Sequence, residues 1–143
     1  RCGMGIDVSQ KSIDMAKRAR RPDGCELKFF KITADEQWPE GDFDTVISID
    51  VLHHVPKKDQ RGFVKQLSSS CGKGRLIFKD VSPVPRWKAI ASRVHDLIMS
   101  RERIYIIGED EVTGWFREDG LRIIESKRVD VLWYSHYLIV AER

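Results

Sequence analysis

Three places in this 143-residue chain combine residue type and position in a way that could do chemistry. Asp7 closes the short apolar run Gly5-Ile6 and is followed by Val8 and Ser9. An acid at the C-terminal end of a strand can accept hydrogen bonds from both hydroxyls of a ribose, so Asp7 suits a nucleoside cofactor. The plain alternative is an acid placed near a helix N-terminus by the helix dipole. Because Ser9 is itself a good N-cap, Asp7 is not needed for capping. Asp50-Val51-Leu52-His53-His54 follows a second apolar run, at the open end of a strand where ligands of α/β folds gather. His53-His54 could equally begin a helix. Adjacent histidines rarely converge on one ion and no third ligand is evident, which argues against a metal site. Lys79-Asp80 ends a third apolar run on the same side. Arg93 and His95 project from an amphipathic stretch whose apolar stripe is more often core than pocket. Tyr134 and His136 alternate with Leu138 and Val140, so they share one face of a strand, at a pocket edge or in the core.

The elements that must position these residues follow from periodicity. A strand ends at Asp7, and Ser9 caps a helix with Ile13, Ala16 and Ala19 on one face through Arg20, which Pro22-Asp23-Gly24 terminates. Leu27 to Ile32 is a second strand. Phe43 to Asp50 is expected to be a buried strand ending in an acid. A helix after Pro56 turns Phe63, Val64 and Leu67 inward, and Cys71-Gly72-Lys73-Gly74 is expected to terminate it. Arg75 to Val81 is the next strand. Pro83 and Pro85 break the chain before a helix to Ser100, in which Trp87, Ile90, Ala91, Val94, Leu97 and Ile98 recur at helical spacing. Arg101 and Arg103 read as its solvated end. A shorter helix spans Asp110 to Glu118, with Gly120 suited to its C-terminal cap. Leu121–Val131 and Trp133–Glu142 are strand-like and nearly contiguous, so they predict an antiparallel hairpin. Alternation of strands and helices predicts an α/β domain with a mostly parallel sheet, helices on both faces and that hairpin at the end.

Bulk properties bound the function. Hydrophobic residues at 41% and charged residues at 33% describe a globular domain with one core. A net charge of +3 is too small to argue for nucleic acid. No apolar run approaches the roughly 20 residues of a spanning helix, and no signal-peptide pattern opens the chain, so a cytoplasmic setting is the expectation. Cys2, Cys25 and Cys71 are odd in number and lack ligand spacing, which fits free thiols.

Four segments, in order, resemble the class I S-adenosylmethionine-dependent methyltransferases of small-molecule type: Gly5-Ile6-Asp7-Val8-Ser9, Trp38-Pro39 with Phe43-Asp44-Thr45-Val46, Asp50 to Val55, and Glu118-Asp119-Gly120-Leu121 with the closing hairpin. The resemblance implies S-adenosylmethionine as cofactor and a Rossmann-like fold, with Asp7 on the ribose and Val8 against the adenine. It places Ala34 and Asp35 near the adenine amino group, where the family has an acid one position earlier than Asp35. Asp50 and Val51 would hold the methionyl portion with their backbone, and His54 would face the reaction centre. His95 and His136 are the other histidines available as a general base. The helix after Pro85 lies where the family builds its acceptor pocket, and it could instead join a dimer. The segment after Asp50 lacks the acid-Pro-Pro-aromatic pattern of methyltransferases acting on base amines, which points away from nucleic acid.

The family's first strand, GxGxG-type loop and helix have no counterpart here, and Gly3-Met4-Gly5 does not supply them, because such a loop follows a strand and opens into a helix. The chain is therefore expected to be one catalytic domain, 1–143, incomplete at its N-terminus, as a start at Arg1 also suggests. On its own it should bind the cofactor poorly. Two rivals remain: a catalytically silent binding module of the same fold, and a nicotinamide-dependent oxidoreductase. The terminal hairpin counts against the second, since that topology continues in parallel units.

Overall fold

A computed structural model of the chain describes residues 2–20, 23–33, 36–39, 41–85, 87–90, 104–131 and 134–143, the side chains of Val131 and Tyr134 excepted. Ala34, Asp35, Arg93, His95, Arg101 and Arg103 lie outside the described residues. The chain divides into two compact units, Arg1–Pro39 and Glu40–Arg143.

The first unit is a single βαβ turn. β1 (Cys2–Asp7) and β2 (Glu26–Lys31) pair in parallel from Cys2↔Glu26 to Asp7↔Lys31, and α1 (Gln10–Arg18) connects them. Ser9 caps α1 as expected, its hydroxyl accepting from the Ser12 N–H at 3.3 Å. Ile13 is the buried residue of the helix, whereas Ala19 is exposed and serves as the C-cap, so the apolar face is narrower than the spacing predicts. Gly3 and Gly5 lie within β1, where a side chain would run into Leu27 and Phe29 of β2. They are strand glycines that permit close packing, in keeping with their exclusion as a phosphate loop.

The second unit is a four-stranded sheet ordered β3-β4-β6-β5, built from β3 (Phe43–Ile49), β4 (Cys71–Val81), β5 (Arg122–Val131) and β6 (Tyr134–Glu142). β3 and β4 are parallel, joined through α2 (Gln60–Ser70). β5 and β6 form the expected antiparallel hairpin, and β6 inserts between β5 and β4. α3 (Glu109–Glu118) ends at Gly120, whose φ of +84° is the left-handed conformation that a helix stop favours. α2 and α3 pack on each other and on the sheet face that carries Leu76, Phe78, Ile139 and Ala141, all fully buried. There Phe78 meets the edge of Phe116 with ring centroids 5.5 Å apart. The chain is thus an α/β protein with a terminal antiparallel pair. No helix among the described residues is long and apolar enough to cross a membrane.

Three expectations are corrected. The strand expected from Arg75 starts earlier: α2 ends before Cys71 as expected, and β4 begins at Cys71 directly after it. The two glycines are needed there because a side chain at Gly74 would collide with the Asp44 backbone and one at Gly72 with the Asp42 carboxylate. β3 is not fully buried, since it is an edge of its sheet and leaves Ile47 and Ile49 60% and 51% exposed. In the described first turn of the helix after Pro85, Trp87 and Ile90 are exposed while Ala89 is buried, so the stripe read from their spacing does not face inward there.

Candidate functional site

The parallel pair β3 and β4 ends in a cluster of ionisable side chains. Alternation along a strand sends consecutive residues to opposite faces, so Lys79 and Asp80, both at the end of β4, face opposite ways. Each finds a partner from the segment after β3.

On Lys79's side, its ammonium lies 2.6 Å from Asp50 Oδ2. Asp50 directly follows β3 with φ +55°, a left-handed turn that aspartate tolerates better than most residues. The Asp50 N–H donates to the Lys79 carbonyl at 2.9 Å, extending the parallel ladder by one rung. His136 of β6 brings Nε2 to 3.5 Å from Asp50 Oδ1. Burial, and after it the Lys79 ammonium, push the His136 pKa below its ordinary value. The ring is therefore neutral at neutral pH, and its approach to Asp50 is a polar contact rather than a salt bridge.

On Asp80's side, the carboxylate is 1% exposed. It accepts from the His53 N–H at 3.0 Å and the Val81 N–H at 2.7 Å, and it contacts Nδ1 of the His53 ring. A buried carboxylate needs such donors, since desolvation without them is costly. His53 sits in the one-turn 3-10 segment Leu52–His54, which starts from Val51. Gln60, 2% exposed at the start of α2, donates to the carbonyls of Leu52 and Tyr105 at 3.2 and 2.7 Å. His54 is exposed, with its ring centroid 4.1 Å from that of His53.

Of the residues singled out from sequence, Asp50, Val51, His54 and His136 therefore lie at this strand end in the second unit. Asp7 and Val8 lie at the end of β1 in the first. Asp7 Oδ1 accepts from the Ser9 N–H at 2.7 Å, and both Asp7 and Val8 are exposed, Val8 at 61%. The pairing of His53 with Asp80 escaped sequence reading. A signal was present: Asp80 follows Leu76 and Phe78 at intervals of two, so alternation already places it on the buried face, where an acid must have a partner.

Fit to a nucleoside-bearing sulfonium cofactor can be judged on the exposed groups. Asp7 spends one carboxylate oxygen on its own turn, and the second can accept from a hydroxyl donor. Val8 beside it offers an apolar surface to a base. The residues present fit the group.

Comparison with known proteins agrees. A family profile described as a methyltransferase domain matches residues 2–74, half of the chain. A ubiquinone biosynthesis O-methyltransferase from Colwellia psychrerythraea is 26% identical over 138 residues, covering 87% of this chain and 54% of that protein. Magnesium protoporphyrin IX methyltransferase from Synechocystis PCC 6803, solved with bound SAH, superposes with a TM-score of 0.73 at 23% identity over 98% of this chain and 63% of its own. An S-adenosylmethionine-dependent methyltransferase from Mesorhizobium loti superposes with a TM-score of 0.76 at 15% identity, covering 98% and 79%. The chain spans about half the length of the curated relative it matches. The solved structures establish the shared Rossmann-like fold, and the profile adds the segments from β1 to the start of β4. On that match, the chain belongs to the methyltransferase domain family.

Proposed function

We propose that the protein transfers a methyl group from S-adenosylmethionine to a small organic acceptor. One observation carries this: the family match spans β1 and Asp7 as well as β3 and His54, the two segments to which cofactor and acceptor chemistry are assigned. The relatives named for ubiquinone biosynthesis and for magnesium protoporphyrin IX support an acceptor of that size, and neither name points to nucleic acid.

When bound, S-adenosylmethionine supplies an activated sulfonium methyl group for in-line displacement. The protein's part is to align the acceptor and to keep water away. Asp7 accepts from the ribose hydroxyls and Val8 covers the adenine, with Ala34 and Asp35 assigned to its amino group. Asp50 and Val51 hold the methionyl portion through their backbone. For a phenol or hydroxyl acceptor, His54 takes the acceptor's proton, because it is the exposed histidine at the strand end. His136 is neutral and buried, so it lines the site and stands second as a base, while His95 is a further candidate.

The same proposal extends to the domain. Among the described residues β3 pairs on one edge only, with β4, and its two isoleucines are exposed. A further parallel strand would cover that edge. We place the enzyme in the cytoplasm, and the helix after Pro85 is the face assigned to any homodimer.

The test is calorimetry of the full-length protein with S-adenosylhomocysteine, followed by turnover with a panel of phenolic and hydroxylated acceptors. Micromolar binding and a methylated product are expected. Binding of a nicotinamide cofactor in its place would sink the proposal, and cofactor binding without turnover on any acceptor would favour the silent module.

A further inference from the structure

The buried acid at the end of β4 grips a single residue at two points. Asp80 takes the backbone N–H of His53 on Oδ2, and on Oδ1 it meets the Nδ1 of the same residue's ring together with the Val81 N–H. A one-point contact would leave either the ring or the peptide free to rotate, whereas two points on one residue leave neither. The same turn is held from the other side. Tyr105 donates its N–H to the His53 carbonyl at 2.7 Å, and Gln60 ties Leu52 to Tyr105. His54 is the next residue, and its ring lies against that of His53.

We propose that Asp80 is a positioning residue: by holding His53 through both backbone and ring, it fixes the Leu52–His54 turn and so orients His54 for proton removal from the acceptor. This rests on the methyl-transfer function proposed above. In the step it serves, the acceptor oxygen forms the new bond to the methyl carbon and gives its proton to His54. The electron pair of the broken S–C bond stays on sulfur. The grip requires a carboxylate. Asparagine offers one acceptor oxygen where Asp80 uses two, and its amide N–H₂ would oppose a donor of His53. In a buried site that opposition is not relieved by water.

The test uses the full-length protein with Asp80→Asn, His53→Ala and the double variant. Melting curves check folding, side-chain nitrogen NMR follows both histidines, and kinetics are run with the best acceptor. Asp80→Asn is expected to lower kcat by about 100-fold, as a misplaced catalytic group does. The acceptor KM should change by less than about threefold, because ground-state binding is not what the grip supplies. His54 ring resonances should shift in the same variant. The double variant should lose no more than Asp80→Asn, since two residues acting as one unit are non-additive. Unchanged His54 resonances, or losses that multiply in the double variant, overturn the proposal. If Asp80→Asn fails to fold, His53→Gln carries the test, because it keeps the backbone bond and removes the ring. Wild-type kcat and unmoved His54 signals in that variant also overturn it. An inactive wild-type protein whose His54 signals still move in Asp80→Asn contradicts methyl transfer and supports the grip.

Discussion

Replacing Asp7 by asparagine removes the charge that the ribose hydroxyls are proposed to address while keeping an acceptor for the Ser9 N–H. Hydrogen bonds to a charged group are worth about 1.5–3 kcal/mol, so the Kd for S-adenosylhomocysteine should rise by about 10- to 100-fold by calorimetry. Asp7 is exposed, so the melting temperature should stay where it is. An unchanged Kd would remove Asp7 from the cofactor site. His136 makes a second prediction. Its folded pKa is depressed below 6.5 by burial first and by Lys79 second. As pH falls below that value the unfolded chain takes up the proton more readily than the folded one. Stability contributed above it is therefore lost as pH drops through the folded pKa. Melting temperatures at about pH 7.5 and about pH 5.5 should differ less in His136→Gln than in wild type, because glutamine has no proton to gain. An identical difference in both proteins would show that His136 does not carry this dependence. At this scale the sequence was half legible. The acid at a strand end and the histidine after Asp50 could be named from position. The His53–Asp80 bond joins residues 27 apart in the chain, and no local pattern pairs them.

At the scale of elements, strand and helix positions followed closely from hydrophobic period. The late start read for β4 is instructive, because glycines that stop a helix look as if they lie outside the strand that follows. Here they are strand residues whose missing side chains let β4 pass the Asp42–Asp44 segment. Gly74→Val should destabilise the fold by about 1–3 kcal/mol, the range for overpacking against neighbours that cannot move away. Urea denaturation measures this, and a midpoint equal to wild type would mean that the Asp44 backbone yields. β3 was misread for a related reason. Its apolar run looks like an interior strand, and interior strands of parallel sheets are buried on both faces. Within its own unit it is an edge, so composition reported what the strand is suited to rather than what surrounds it.

For the whole molecule, ligand binding and stability are linked. S-adenosylhomocysteine at 100-fold its Kd should stabilise the full-length protein by about 2.7 kcal/mol, which for a domain of this order raises the melting temperature by roughly 5–10 °C. An unchanged melting temperature would remove the cofactor from the account. The family and the α/β plan were legible in the chain because both rest on local signals: acids closing apolar runs, helical spacing, and a pair of strands too close together to cross over. Tertiary structure alone decided that β6 lies between β4 and β5, that Lys79 meets Asp50, and that Asp80 holds His53. Each of these depends on the register of strands distant in sequence. Local periodicity sets which face a residue occupies, but only the packed sheet sets which residue it meets there.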